Sequence, residues 1–154
     1  MTVKRETELH LKRPCLLVAD LERSFSLYRD LLGFEVDYLS ETATPESYLY
    51  TVFKIPPTAQ LRFASLTTKY EDRALALTEV KSIKLPNPRL PHSVALVMRI
   101  PDLEEKIAKI KELGLETVEA NSFTRSEDTI FTEQAFCDYD GHLIMLYEIK
   151  EKSA

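Results

Sequence analysis

Val18-Ala-Asp-Leu-Glu-Arg-Ser-Phe-Ser-Leu-Tyr-Arg-Asp-Leu-Leu-Gly-Phe34 is the stretch whose reading decides the fold of this chain of 154 residues. It reads as the end of a strand, a capped amphipathic helix and the start of a second strand. Asp20 stands at the N-cap position. Leu21, Ser24, Phe25, Tyr28, Leu31 and Leu32 recur on one helical face, and Gly33 stops the helix. The chain states this pattern twice. Ile100-Pro-Asp-Leu-Glu-Glu-Lys-Ile-Ala-Lys-Ile-Lys-Glu-Leu-Gly-Leu115 has the same aspartate, the same leucine after it, an apolar stripe at Leu103, Ile107, Ile110 and Leu113, and the same terminal glycine.

Outward from the first helix, residues 10–18 alternate as a strand. Pro14, Leu16 and Val18 are predicted to lie under the helix, while Arg13, Cys15 and Leu17 point the other way. Downstream come a strand at 34–40, a polar break at 41–46, and residues 47–55. Their aromatics suit a strand, but their length and Pro45 just before favour a short helix. Strands at 61–68 and 73–80 follow, joined by the charged turn Lys69-Tyr-Glu-Asp72. The proline-rich run 81–91 forbids helix and central strand and reads as a linker. It separates a first module, 10–80, from a second, 92–150, within one structural domain. The second module reads as strand 93–100, helix 102–113, strand 115–120, polar loop 121–128, and strands 129–138 and 142–150 turned by Asp140-Gly141. The three glycines fall at two helix ends and one turn, which leaves none for a phosphate-cradling loop.

Arithmetic supports the repeat. Asp20 and Asp102 are 82 positions apart, whereas Glu79 and Glu148, in the matching runs Ala74–Lys81 and Leu143–Lys150, are 69 apart. The first module therefore carries 13 extra residues, largely the Ser47–Pro57 segment. The fold class that follows is α+β, two βαβββ modules, each a small sheet with a helix on one face and too small to cover its other face alone.

Composition narrows the function. With 25 acidic against 20 basic residues the net charge is −5, so a nucleic-acid partner is not expected. The N-terminus lacks an apolar core of signal-peptide length, and no run approaches a membrane span, so the reading is cytoplasmic with no membrane partner. Cys15 and Cys137 lack metal-type spacing and read as reduced core residues.

Arg13–Phe34 and Phe136-Cys-Asp-Tyr-Asp-Gly-His-Leu-Ile-Met-Leu-Tyr-Glu-Ile149 resemble the opening and closing signatures of the vicinal oxygen chelate superfamily. That group includes glyoxalase I, the bleomycin and fosfomycin resistance proteins, methylmalonyl-CoA epimerase and extradiol dioxygenases. The resemblance implies a cup-shaped mixed sheet with helices on its outer face, and a homodimer. It also implies four metal-ligand positions, one on the first and one on the last strand of each module. Counting seven back from the helix-cap aspartates and three back from the repeated glutamates gives Arg13, Ala95, Ala76 and Met145. Arginine stays protonated, alanine has no donor and a thioether is too soft for a hard ion, so no metal and no other cofactor is expected.

Other candidates have structural readings. His92 falls on the opposite face from Ala95 and reads as a rim residue, His10 precedes the first strand's core, and His142 beside a turn reads as solvated. Glu79 and Glu148 alternate away from Ala76 and Met145, to the helix side or an edge. The cup would then be lined by Arg13, Cys15, Ala76, Thr78, Ala95, Arg99, Met145 and Tyr147, joined by Leu17 and Val97, a mostly small and apolar set with a few polar tips. Arg13 would grip an anionic or carbonyl-bearing ligand, or pair with Glu35, Asp37 or Glu133. Two functions follow: metal-independent binding of a small, largely apolar compound with a polar or acidic end, or a lyase, isomerase or dioxygenase of the same superfamily. A third possibility is a closed-up subunit that only mediates association.

Overall fold

The computed structural model describes residues 6–152. The first module runs β1 (Cys15–Val18), α1 (Leu21–Phe25), β2 (Glu35–Leu39), α2 (Tyr48–Phe53), β3 (Gln60–Thr67) and β4 (Leu75–Lys81). The second runs β5 (Ala95–Arg99), α3 (Leu103–Glu112), β6 (Asn121–Ser126), β7 (Thr129–Cys137) and β8 (Leu143–Glu151). Each makes a four-stranded mixed sheet, ordered β1-β4-β3-β2 and β5-β8-β7-β6, with the first pair of each parallel and the rest antiparallel. The α+β repeat is thus present, but as two open sheets that do not close.

The first helix departs from the α pattern halfway. From Ser26 to Leu31 it widens into a π-helix, with the Leu32 N–H donating to the Leu27 carbonyl at 2.9 Å. Widening turns Leu27 inward, so the buried face is Leu21, Ser24, Phe25, Leu27 and Tyr28, while Leu31 and Leu32 pack at its margin. The two caps also differ. Asp20 accepts from the Arg23 N–H at 3.1 Å, whereas Asp102 adopts a left-handed backbone (φ 55°) and caps nothing with its side chain. Each helix start is instead held by the repeated glutamate of its sheet. Glu79 Oε2 accepts from the Leu21 N–H at 2.7 Å, and Glu148 Oε2 accepts from the Leu103 N–H at 3.1 Å.

The helix-side faces of both sheets feed one core. Leu16, Val18, Leu66, Leu75 and Leu77 from the first module meet Ile107, Ile110, Phe136, Ile144 and Leu146 from the second, with Phe25 and Tyr28 among them. Polar contacts reinforce this junction. Tyr28 donates to Asp138 at 2.6 Å, the Ala19 N–H donates to Asp140 at 2.9 Å, and the His142 ring bonds the Leu17 carbonyl at 2.8 Å. His142 is therefore half-buried across the junction rather than solvated.

Two strand expectations fail for physical reasons. Residues 115–120 form no strand beyond a bridge from Thr117 to Phe136, and the strand lies at 121–126, in the stretch read as a loop. β6 is an edge strand exposed along its whole length, so it has no buried side and shows no apolar alternation. The first strand spans only Cys15–Val18, the residues in register with β4, with one further bond from the Ala76 N–H to the Pro14 carbonyl at 3.1 Å. Within the 81–91 run Ile83 and Leu85 pack against a second core, and Pro88 lies against Gly141.

Candidate functional site

Cross-strand register fixes which side chains share the faces turned away from α1 and α3. On the first sheet these include Cys15, Leu17, Ala76, Thr78, Phe63 and Ser65. This face is largely covered by its own chain. The 47–57 segment folds α2 from a Ser47 cap and lays Leu49, Tyr50 and Phe53 over Leu17, Leu61 and Val80, with Ile55 and Ala59 completing a second core. The Tyr50 hydroxyl fastens the segment by donating to the Ala59 carbonyl at 2.7 Å. Ala76 and Thr78 are completely buried, and the Thr78 and Ser65 hydroxyls have no hydrogen-bond partner among the described residues.

The second sheet is different. Ala95, Val97 and Arg99 are exposed, and Met145 and Tyr147 are half-buried. Phe123, Phe131 and Tyr147 stack across β6, β7 and β8, with centroids 4.9 and 5.0 Å apart. Arg99 is paired in register with Tyr147, and Tyr147 with Glu133, so the ladder is flanked by a cation and a carboxylate. A cleft of about 1180 Å³ runs along β5 between this face and the Thr68–Glu71 turn.

The eight residues read from sequence as a lining therefore divide. Ala95, Arg99 and Tyr147 come together on the wall of that cleft, and Met145 lies beside Val97 on the same sheet. Ala76 and Thr78 are sealed inside the first module. Cys15 is exposed rather than a core residue, and Cys137 is half-buried; both are free thiols. Arg13 forms no ion pair among the described residues. Its guanidinium donates to the Arg73 carbonyl at 3.4 Å, and Asp37 is taken by Arg73 at 2.7 Å. Phe123 and Phe131 were not singled out from sequence. Phe131 is in phase along β7 with Glu133, which the sequence offers as a partner for Arg13, and that is the signal that could have found it, whereas Phe123 sits in the segment that reads as a loop.

His92 stands with Nε2 3.7 Å from Cys137 Sγ. Burial, then the charges of Glu116 and Asp138, push the Cys137 thiol up, away from the thiolate a nucleophile needs. The four positions that would hold a metal carry a guanidinium, two methyl groups and a thioether, and one of the alanines is fully buried. These groups do not fit a divalent ion, and no cluster of three metal-binding side chains exists among the described residues.

Comparison with known proteins agrees with this architecture. The family described as Glyoxalase/Bleomycin resistance protein/Dioxygenase superfamily matches residues 10–146. No curated protein matches. A glyoxalase family protein from Bacillus cereus superposes with a TM-score of 0.71 at 13% identity, covering 93% of this chain and 95% of that one. The trypanothione-dependent glyoxalase I of Leishmania major gives 0.60 at 18% identity, over 92% and 87% of the two chains. TnmS3, an antibiotic binding protein from Streptomyces sp. CB03234, gives 0.52 at 18%, over 94% and 98%. At these identities the structural likenesses speak to the fold, and the match over most of the sequence fixes the family: the chain belongs to the glyoxalase/bleomycin resistance protein/dioxygenase superfamily.

Proposed function

We propose that this protein binds a small, largely apolar molecule with an acidic or polar end, without a metal, on the open face of its second sheet. The observation that carries this reading is the asymmetry of the two modules. The first module covers its face with the inserted 47–57 segment, while the second leaves uncovered a stacked ladder of three aromatic rings, Phe123 exposed and Phe131 and Tyr147 half-buried, with Arg99 beside it. Partly exposed stacked rings suit a flat apolar body, and the guanidinium suits an anionic end. An antibiotic-binding relative of the same fold makes sequestration a natural use for such a face.

We further infer self-association as a homodimer, because each chain presents an open sheet. The net charge of −5 supports a role without nucleic acid, and the exposed free thiol of Cys15 suits a reducing compartment such as the cytoplasm. Among the described residues no helix is long and apolar enough to cross a membrane.

A test uses 1-anilinonaphthalene-8-sulfonate, a planar aromatic with an anionic end. Saturable binding at one site per chain is expected, weakened about tenfold or more by Arg99→Ala and by Tyr147→Ala. Binding indifferent to both substitutions, or no saturable binding, would refute the site. Stoichiometric metal in the purified protein, measured by elemental mass spectrometry, would refute metal independence.

A further inference from the structure

Residues 8–12 run exposed into β1, and among the described residues their backbones make no hydrogen bond. Leu9 and Leu11 are fully exposed, at 103% and 92%. Two positions apart, they share one face of an extended chain, with His10 and Lys12 on the other. This arm has the pattern of a strand and no sheet to join.

β5 has the complementary defect. It pairs only with β8, and the bond from the Ile100 N–H to the Tyr147 carbonyl sets the phase, so that the N–H and C=O groups of Val97 and Arg99 point away from β8, towards the cleft. In the first module the same edge is capped: His142 takes the Leu17 carbonyl and Asp140 takes the Ala19 N–H. The repeat shows why β5 lacks this cap. Pro101 stands 82 positions after Ala19 and has no N–H to offer. Glu71 and Arg73, 69 positions before Asp140 and His142, turn instead to Thr68 and Asp37. The cleft beside β5 has apolar walls that include Leu32, Phe34, Leu96 and Met98, and Pro14, at the root of the arm, lines the same cleft.

We propose that two copies exchange arms, residues 8–13 of each adding as an outer strand along β5 of the other, with Leu9 and Leu11 set into the apolar walls. The occupant is a second copy because the chain leaves its own arm in water with the cleft at the arm's root. Exchange extends each second sheet by one strand and brings a segment of the partner beside the proposed ligand face. The proposal rests on the self-association inferred above and specifies its contact.

The test combines sedimentation of the full chain over a concentration series with amide hydrogen exchange, comparing wild type with the double variant Leu9→Glu, Leu11→Glu. Both leucines lie outside the core, so far-UV circular dichroism of the variant should match wild type. A wild-type dimer is expected, with the Val97 and Arg99 amides protected. The variant should dimerise about 100-fold more weakly or worse and lose that protection. A wild type monomeric throughout, with those two amides unprotected, would overturn both the association and the exchange. A dimer unchanged in the variant, with the two amides exchanging freely in both proteins, would overturn the exchange and leave association standing. A monomer whose protection depends on the leucines would show the arm seated in its own chain, which also overturns exchange between copies.

Discussion

Gly141 shows at the scale of one residue how a turn is tied to a distant segment. Its φ of +86° already disfavours any side chain, and a Cβ there would meet Pro88 Cγ at 2.2 Å, inside contact distance. Gly33 has a similar φ of +101° but open space around it. Gly33→Ala should therefore cost only the backbone term, about 1 kcal/mol, whereas Gly141→Ala must also displace the proline ring and should cost at least about 2 kcal/mol. Denaturant unfolding of the two variants checks this, and equal losses would mean that the Pro88 packing is unimportant. Both glycines are legible in sequence, one as a helix stop and one as a hairpin residue. The contact with Pro88 is not, since it joins residues 53 positions apart and leaves no local pattern. The same holds for the lining residues. Alternation assigns Thr78 to the correct face, but only the packing of α2 shows that this face is covered.

At the scale of the element, matching sequence conceals unlike physics. Asp20 and Asp102 occupy equivalent positions, yet Asp20 caps its helix and Asp102 sits at φ 55° with no cap bond, its helix start being held by Glu148. Asp20→Ala should therefore destabilise by about 1 kcal/mol. Asp102→Gly, which relieves the left-handed backbone and gives up no cap, should be neutral or stabilising by up to about 1 kcal/mol. Thermal unfolding separates the two, and similar losses at both positions would show that Asp102 caps in solution. Strand and helix order were readable because the buried elements carry one-sided apolar patterns. β6 was not, because an edge strand exposed on both faces has nothing to alternate.

For the whole molecule, the modules share one core and a polar junction, so a single cooperative transition is the physical expectation. Asp140 gives that transition a pH signature. Its Oδ1 accepts from Ala19 and Arg23 across the junction, while its Oδ2 is buried without a partner among the described residues. Burial, joined by the charge of Asp138, raises its pKa above the ordinary value of 3.8, outweighing the Ala19 bond and the charges of Arg23 and His142, which act the other way. A carboxyl raised on folding binds its proton more tightly in the native state. Its contribution is thus fully present below pH 3.8 and is lost as the pH rises through the folded-state value. Asp140→Asn keeps an acceptor for the Ala19 N–H and removes the titration. The melting temperature of wild type minus that of Asp140→Asn should therefore become more favourable to wild type on acidification, levelling off below the unfolded-state pKa. A difference that is flat across this range, or that moves against wild type as acid is added, would mean that the junction holds Asp140 in a solvated, ordinary state. It would also remove the electrostatic evidence that the two modules bury this contact as one unit.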